Sequence, residues 1–517
     1  MAELGLPPAM IDTVTLAADW VIVLPIVLAL LGAALLLMLR GSRGLSFMFT
    51  SMTVVGIIAC ETSLLLRVAE AGPLSMTMGK WLPPFGISFT ADVFGAGFAL
   101  AASSVTLIVL FYAEGDRPAD AAGDGFHSLV LLLLAGVTGS FLTGDLFNLY
   151  VWFEVMLIAS FGLIVIGGRP IQLDGAVKYG FLNFLATTIF LAALGLTYGL
   201  LGTLNMADIM RVAPTANTAA MTGIAALLLL AFGMKAAAFP VNAWLPASYH
   251  TPPAVVSALM AGLLTKVGIY ALLRTLAMLL PASRDILEPV LAIVAIATLL
   301  VAPLGAIAET NLRRAIGFVV IGGIGTVMVG IAIPSQSGIG GAGLYIFHAM
   351  LTMTALYLVA GLVEKQTGET DSRRMGGLYA GSSPLSILFL LLVLAAAGVP
   401  PFLGFWPKLL LLNAGLAQGG WLGGLMVAGL LANAVLTLIA GTRLWAHIFW
   451  RSAPTRPPVV AVSSTQISLF ATGLLVAAIL AAGLWPNALF EAVRIAAADM
   501  IDPARYVAAV GLAGVAP

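Results

Sequence analysis

The sequence is poor in charge, cysteine and histidine. Only 9% of its 517 residues are Asp, Glu, Lys or Arg, against about 25% in a soluble domain. The single cysteine, Cys60, excludes an internal disulfide, and the four histidines join no Cys/His cluster with metal-ligand spacing. Basic and acidic residues balance at 23 each, so neither a basic face nor an acidic tail is present. We therefore expect no metal, no cofactor and no nucleic-acid partner.

Long apolar runs take the place of the missing charge. Hydrophobic residues make up 61% of the chain, and the mean hydropathy is +1.08. A helix needs about 20 apolar residues to cross a bilayer. The sequence predicts an all-α polytopic membrane protein with about fourteen spans, at 20–39, 47–69, 92–113, 127–143, 146–167, 177–200, 220–240, 253–278, 286–308, 312–333, 338–362, 384–418, 422–450 and 464–485.

The polar stretches between the spans are too short to form a second domain in water. We expect one membrane domain over 1–517, with three N-terminal helices in 1–126 and the last span and a tail in 451–517. The tail from Asn487 onward is Ala-rich and weakly amphipathic, which favours a helix along the surface.

The distribution of Lys and Arg predicts the orientation, because cytoplasmic loops are enriched in these residues. With the N-terminus outside, twelve lie inside: Arg40, Arg43, Arg117, Arg169, Lys178, Arg313, Arg314, Lys365, Arg373, Arg374, Arg451 and Arg456. Six lie outside: Lys80, Arg211, Arg274, Arg284, Arg494 and Arg505. This bias predicts that both termini lie outside.

Four charged residues lie near the middle of predicted spans, where each costs about 2.5–3.5 kcal/mol on insertion scales. They are Glu154, Lys235, Lys266 and Lys408. Glu154 lies nine residues beyond Asp145, a predicted N-cap, and so is about 13 Å deep. A lysine near a helix end usually extends its ammonium to the interface, but Lys235 and Lys266 have apolar residues on either side. We expect these four residues to be functional.

His348, in "LYIFHAMLTMTALYLVAG", is a fifth candidate. A lone membrane histidine is either a packing residue or a proton relay, because imidazole titrates near neutral pH. Glu61 and Arg67, like Arg443 and His447, are weaker candidates, because they lie nearer helix ends or could pair locally. Burial and a nearby carboxylate shift a lysine pKa in opposite directions, so the strong candidates favour proton transfer.

Two of the lysines lie beside proline breaks. Lys235 precedes Pro240, and Lys408 follows "GVPPFLGFWP", whose Pro400, Pro401 and Pro407 must interrupt a helix. Broken helices at corresponding places in two halves of a transporter indicate an inverted repeat. We predict two inverted five-helix repeats, spans 4–8 in 127–278 and spans 9–13 in 286–450, each with one proline-broken helix.

Four stretches together resemble the antiporter-like subunit family: "TGDLFNLYVWFEVMLIASFGL", "GMKAAAFPVNAWLPASYHTPPAVVSALMAGLLTKVGIY", "ETNLRRAIGF" and "GVPPFLGFWPK". The family includes the large membrane subunits of respiratory NADH dehydrogenase (complex I), membrane-bound hydrogenases and Mrp-type Na⁺/H⁺ antiporters. The resemblance covers about 126–451, and "TGDLFNLYVWFEV" is most similar to the D subunit of Mrp antiporters.

The resemblance implies a proton-translocation chain of Glu154, Lys235, Lys266, His348 and Lys408 along a hydrated central axis. It also implies transported H⁺ and Na⁺, partner membrane subunits in a hetero-oligomer, and a bacterial cell membrane. The nearest alternative is a proton-pumping subunit of a redox complex. A quinone-reactive subunit, a structural scaffold and a self-sufficient solute symporter are further alternatives.

Overall fold

A computed structural model describes residues 10, 16–38, 43–116, 125–452 and 465–512. Almost all of these residues are helical. The longer helices are α1 (Leu24–Met38), α2 (Arg43–Ala71), α3 (Val93–Asp116), α4 (Phe126–Leu142), α5 (Leu146–Ile164), α6 (Pro170–Leu201), α8 (Thr218–Ala236), α12 (Pro281–Ala308), α13 (Leu312–Ala332), α14 (Gln336–Thr367), α16 (Ser383–Ala397), α17 (Phe405–Gln418), α18 (Gly420–Trp445), α19 (Thr465–Leu484) and α20 (Asn487–Ile501).

The remaining helices are short or contain π turns. Helices α10 (Ala254–Leu259) and α11 (Thr265–Leu273) form one continuous helix through a π turn at Met260–Leu264, and a second π turn follows at Arg274–Leu279. A π turn at Ala446–Trp450 likewise extends α18. The short helices are α7 (Met206–Val212), α9 (Trp244–Tyr249), α15 (Leu378–Gly381) and α21 (Ala504–Ala509), together with 3₁₀ turns at Ala17–Ile22, Met78–Lys80 and Ala213–Thr215.

In the described ranges, eleven helices are long and apolar enough to cross a membrane, and three shorter apolar helices accompany them. The shorter ones are Leu24–Met38, Phe126–Leu142 and Ser383–Ala397. The prediction of an all-α polytopic membrane protein is therefore confirmed. The number fourteen, the division into domains and the inverted repeats stay predictions.

Two spans form the centre of the bundle. The helix from Ala254 to Leu279 and helix α14 are buried along almost their whole length, and they pack against each other. Helices α2, α6, α12 and α18 instead expose large apolar side chains on one face, such as Phe181 and Ile293. A lipid-facing surface needs such side chains, whereas the central spans are shielded by their neighbours.

Helices α8 and α16 both end inside the bundle at a left-handed residue. Ala237 (φ 62) ends α8, and Pro240 prevents its continuation. Gly398 (φ 86) ends α16, and α17 begins seven residues later at Phe405. Pro400 and Pro401 lie in this break as predicted. The prediction for Pro407 was wrong, because it lies in the first turn of α17, where no intrahelical N–H bond is lost.

Three local features differ from the sequence-based predictions. An antiparallel hairpin of β1 (Leu74–Thr77) and β2 (Ser88–Ala91) joins α2 to α3. Arg274, predicted in an outside loop, lies buried in the last turn of a span, where it pairs with Asp92. The tail helix that was predicted to lie along the surface is α20, and its apolar face instead packs against α14. Among the residues used to predict orientation, Arg40, Arg117 and Arg456 lie outside the described residues.

Candidate functional site

Helix α5 holds Glu154 at mid-depth. The Asp145 side chain accepts a hydrogen bond from the Asn148 N–H at 2.8 Å, which confirms the predicted N-cap and fixes where the helix begins. Glu154 follows nine residues later and is half-buried. Its Oε1 is closed off from solvent and has no hydrogen-bond partner in the described structure. An acceptor in this state is available to water or to a moving cationic side chain.

Lys235 occupies the penultimate position of α8, beside the first break. It is 7% exposed, and its Nζ lies 4.7 Å from the centre of the Phe153 ring, a cation–π contact. The charge of Glu154 acts on this ammonium. However, no ion pair among the described residues joins the two side chains. The two groups are therefore coupled through space and not by a direct contact.

A small cavity of about 20 Å³ lies beside the Lys235 ammonium. Its polar lining comes from Lys235, Tyr179, Asn183 and Tyr249. A volume of this size accommodates about one water molecule, and several polar neighbours are what such a water needs. A water molecule in this cavity would be a proton-exchange partner for Lys235.

Lys266 is 1% exposed and is held by its own helix. Its Nζ donates to the Ala261 carbonyl at 2.7 Å and to the Thr265 hydroxyl at 3.1 Å. Ala261 lies in the π turn at Met260–Leu264, where the regular ladder of α-helical hydrogen bonds is interrupted. The interruption therefore provides a carbonyl acceptor for a lysine that has no carboxylate partner among the described residues.

Carbonyl groups at the second break, between α16 and α17, accept hydrogen bonds from the Lys408 ammonium. Its Nζ donates to the carbonyls of Ala397 at 2.6 Å and Ala396 at 3.2 Å. These are the last two carbonyls of α16, at the end where the helix dipole is negative. Gly398 makes this approach possible, because a Cβ there would lie 2.6 Å from Lys408 Cδ.

His348 lies on α14 and is fully buried. Its Nδ1 is 3.2 Å from the Thr352 hydroxyl, and its Nε2 has no hydrogen-bond partner in the part of the chain that the structure describes. The imidazole faces the second break, since a Cβ on Gly404 would lie 2.8 Å from Nε2. The charges of both Lys408 and Lys266 act on this ring.

The helices that carry the five residues are in contact in the predicted order. Phe153 of α5 stacks on Phe232 of α8, and α8 packs against α11, where a Cβ on Gly268 would touch the Lys235 backbone. The α10–α11 helix then packs on α14, and α14 on α17. The fold therefore places the five titratable groups on successive helices that contact one another.

Sequence reasoning missed a group of buried tyrosines next to Lys235. Tyr179 hydrogen-bonds Ser160 at 2.7 Å, and Tyr249 has a buried hydroxyl without a partner. Tyr249 interacts electrostatically with Tyr179 and with Tyr357, whose hydroxyl donates to the Arg313 carbonyl at 3.2 Å. The tyrosines therefore connect the Lys235 cavity to Arg313, in the first turn of α13. The only signal was "ASYHTPP", an aromatic residue close to a proline break.

No group of three or more His, Cys, Asp or Glu side chains that could hold a metal ion occurs in the described part of the chain. The titratable residues of the site are instead single groups on separate helices.

Comparisons with known proteins show which family this chain matches. The family described as "NADH:quinone oxidoreductase/Mrp antiporter, TM" matches residues 143–437. The D subunit of the Na(+)/H(+) antiporter of Alkalihalophilus pseudofirmus is 36% identical over 430 residues, covering 83% of this chain and 87% of the relative. The protein of the same name from Bacillus subtilis is 33% identical over 491 residues, covering 95% and 99%.

Two solved structures have the same fold as this chain. A chain of the Mrp complex from Dietzia sp. DQ12-45-1b superposes with a TM-score of 0.88 at 27% identity, covering 96% of this chain and all of that one. A chain of the membrane-bound sulfane sulfur reductase, an archaeal respiratory membrane complex, superposes with a TM-score of 0.84 at 25% identity, covering 95% and 99%. The chain belongs to the NADH:quinone oxidoreductase/Mrp antiporter transmembrane family.

Proposed function

We propose that the chain is an ion-translocating subunit of a Mrp-type Na⁺/H⁺ antiporter complex in a bacterial cell membrane. Protons move through Glu154, Lys235, Lys266, His348, Lys408 and intervening water. The names of the two relatives and the similarity to a chain of the Mrp complex support the class. The protein acts as a transporter and not as an enzyme, needs no resident cofactor, works with other membrane subunits, and has both termini outside.

One observation carries the proposal. The three lysines are buried at breaks or π turns, and none has a carboxylate within ion-pair distance among the described residues. A buried ammonium without a counter-ion carries a large desolvation cost, so the charged and neutral forms come closer in free energy. A lysine in this state can take up and release a proton, whereas a lysine in a tight ion pair cannot.

Glu154 gives the chain a means of control. At an effective dielectric constant of 20, two unit charges 4 Å apart interact by about 4 kcal/mol, and at 8 Å by about 2 kcal/mol. A change of this size in the Glu154–Lys235 separation changes the proton affinity of Lys235 by more than tenfold. Movement of either side chain would therefore drive the proton toward or away from Lys266.

The first experiment purifies the chain with its natural partners and reconstitutes the complex into liposomes. A Na⁺ gradient should drive H⁺ movement without any electron donor, as reported by an internal pH dye. The second candidate, a proton-pumping subunit of a respiratory complex, is favoured by the similarity to the sulfane sulfur reductase chain. It predicts copurifying redox proteins and H⁺ movement that starts only when an electron donor is added.

A further inference from the structure

Glu61 is a buried carboxyl that the lysine chain does not use. It lies on α2 in a fully buried stripe, and its neighbours there on either side are apolar: Val54, Ile57, Leu64 and Val68. The centre of α2 is near residue 57, so Glu61 lies about 6 Å from it along the helix axis. The prediction that Glu61 is close to a helix end or paired locally was wrong. Arg67, its candidate partner, instead pairs with Asp19.

Two hydroxyl groups from neighbouring helices surround the carboxyl. The Thr138 hydroxyl of α4 donates to Glu61 Oε1 at 3.3 Å. The Ser103 hydroxyl of α3 lies near the same carboxyl and forms no hydrogen bond with any described residue in this conformation. Glu61 Oε2 is buried and has no hydrogen-bond partner among the described residues. Ser103 and Thr138 are themselves fully buried, so water does not complete this set from outside.

No cationic side chain of the described residues pairs with Glu61. Helix α1 contains no titratable residue in its described range, and Cys60 is the titratable neighbour on α2. On α3, Tyr112, the nearest titratable residue, lies nine positions or about 13 Å along the helix from Ser103. On α4, His127 lies eleven positions or about 16 Å from Thr138.

These surroundings suit a neutral carboxyl better than a charged one. An unpaired carboxylate in a low-dielectric site is strongly disfavoured, and such a group neutralises by binding a proton. A protonated carboxyl has one O–H donor as well as acceptor capacity. Oε1 then accepts from Thr138, and the proton on Oε2 is donated to the Ser103 oxygen. The neutral form therefore needs no counter-ion, and both of its oxygen atoms can have a hydroxyl partner.

We propose that Glu61, Ser103 and Thr138 form a titratable proton-binding site in the N-terminal helices, separate from the lysine chain. Helix α4 lies between this site and Glu154. On the side of α4 that faces α5, Gly136 and Gly139 pack closely on Met156 and Trp152. Movement of the Glu154 helix therefore changes the position of Thr138 relative to the Glu61 carboxyl, and with it the retention of the proton.

The test is infrared difference spectroscopy on the purified complex during a pH titration. The carbonyl stretch of a protonated carboxylic acid is distinct from that of a carboxylate. We expect such a band in the wild type, its loss at high pH, its absence in Glu61→Gln and a shifted band in Ser103→Ala. Glu70→Gln is the matched control, because it removes an exposed carboxyl from the same helix and should leave the band intact.

Transport gives a second readout, and Glu61→Gln should change the pH profile of exchange while Glu70→Gln does not. A difference spectrum without the band overturns the proposal, as does a band that persists at every pH. Loss of the band on adding Na⁺ at constant pH would assign the site to a cation and also overturn it. If Glu61→Gln fails to assemble, the shift in Ser103→Ala carries the test. The proposal for Glu61 rests on its burial and does not depend on antiport. A titrating band in a complex that exchanges no Na⁺ would therefore refute the antiport function and leave the Glu61 site standing.

Discussion

Replacing Gly398 with alanine tests whether the position of the Lys408 ammonium, and not only its charge, sets the transport rate. Gly398 has φ 86, and an alanine in the left-handed region costs about 1–2 kcal/mol. Its Cβ would lie 2.6 Å from Lys408 Cδ. Ordinary contact between carbon atoms is at about 3.5–4.0 Å, so the lysine must move by about 1 Å.

That displacement breaks the 2.6 Å hydrogen bond from Lys408 to the Ala397 carbonyl. A hydrogen bond to a charged group contributes about 1.5–3 kcal/mol. If proton transfer depends on the ammonium held there, exchange falls by about 10- to 150-fold, at 1.36 kcal/mol for each factor of ten. The assay is Na⁺-dependent H⁺ movement in everted membrane vesicles that contain the assembled complex.

Gly202→Ala is the matched control for this variant. Gly202 ends α6 with φ 72, so alanine meets the same backbone cost, but nothing lies within 4 Å of its Cβ. We expect Gly202→Ala to retain the wild-type exchange rate once its assembly is confirmed. Equal rates in the two variants would refute the argument that the α16 carbonyls position Lys408 for transport.

Three further substitutions probe the rest of the chain. Lys266→Met should reduce exchange by at least about 100-fold, because it removes two charge-assisted hydrogen bonds. Lys266→Arg should also lose exchange, because arginine does not deprotonate. Lys178→Met, on the exposed face of α6, is its control, and an active Lys266→Arg would show that a fixed charge suffices. Glu154→Gln should lose more exchange than Glu154→Asp, and equal rates would show that shape and not charge matters. Tyr249→Phe removes a buried hydroxyl beside the Lys235 cavity and should slow exchange without affecting assembly, unless the tyrosines lie off the proton path.

Local patterns predicted the parts of this structure that depend on local physics. The apolar runs predicted helices, and the order Thr143-Gly144-Asp145 before an apolar run predicted the N-cap of α5. Proline and glycine predicted the break between α16 and α17. In each case the cause lies within a few residues of its effect, so periodicity and backbone chemistry are sufficient.

Features that depend on distant partners could not be predicted. Arg274 resembles a loop arginine in sequence, and only the approach of Asp92, 182 positions away, shows that it is buried in a span. The sequence allowed a local ion pair between Glu61 and Arg67, but in the fold Arg67 pairs with Asp19. The π turn beside Lys266 was not predicted, and within it Gly262 packs closely against Thr354 of α14, a residue 92 positions away.

The most direct measurement of the central claim compares exchange in Lys235→Ala, Lys408→Ala and the double variant, each in assembled complex in the same vesicles. Proton transfer through a single serial chain predicts that each single substitution reduces exchange to the background level. The double substitution should then be no worse than either single one, because the effects of residues that act as a unit are not additive. If either single variant retains a substantial part of the wild-type rate and only the double variant falls to background, the lysines belong to parallel paths and the serial chain is wrong.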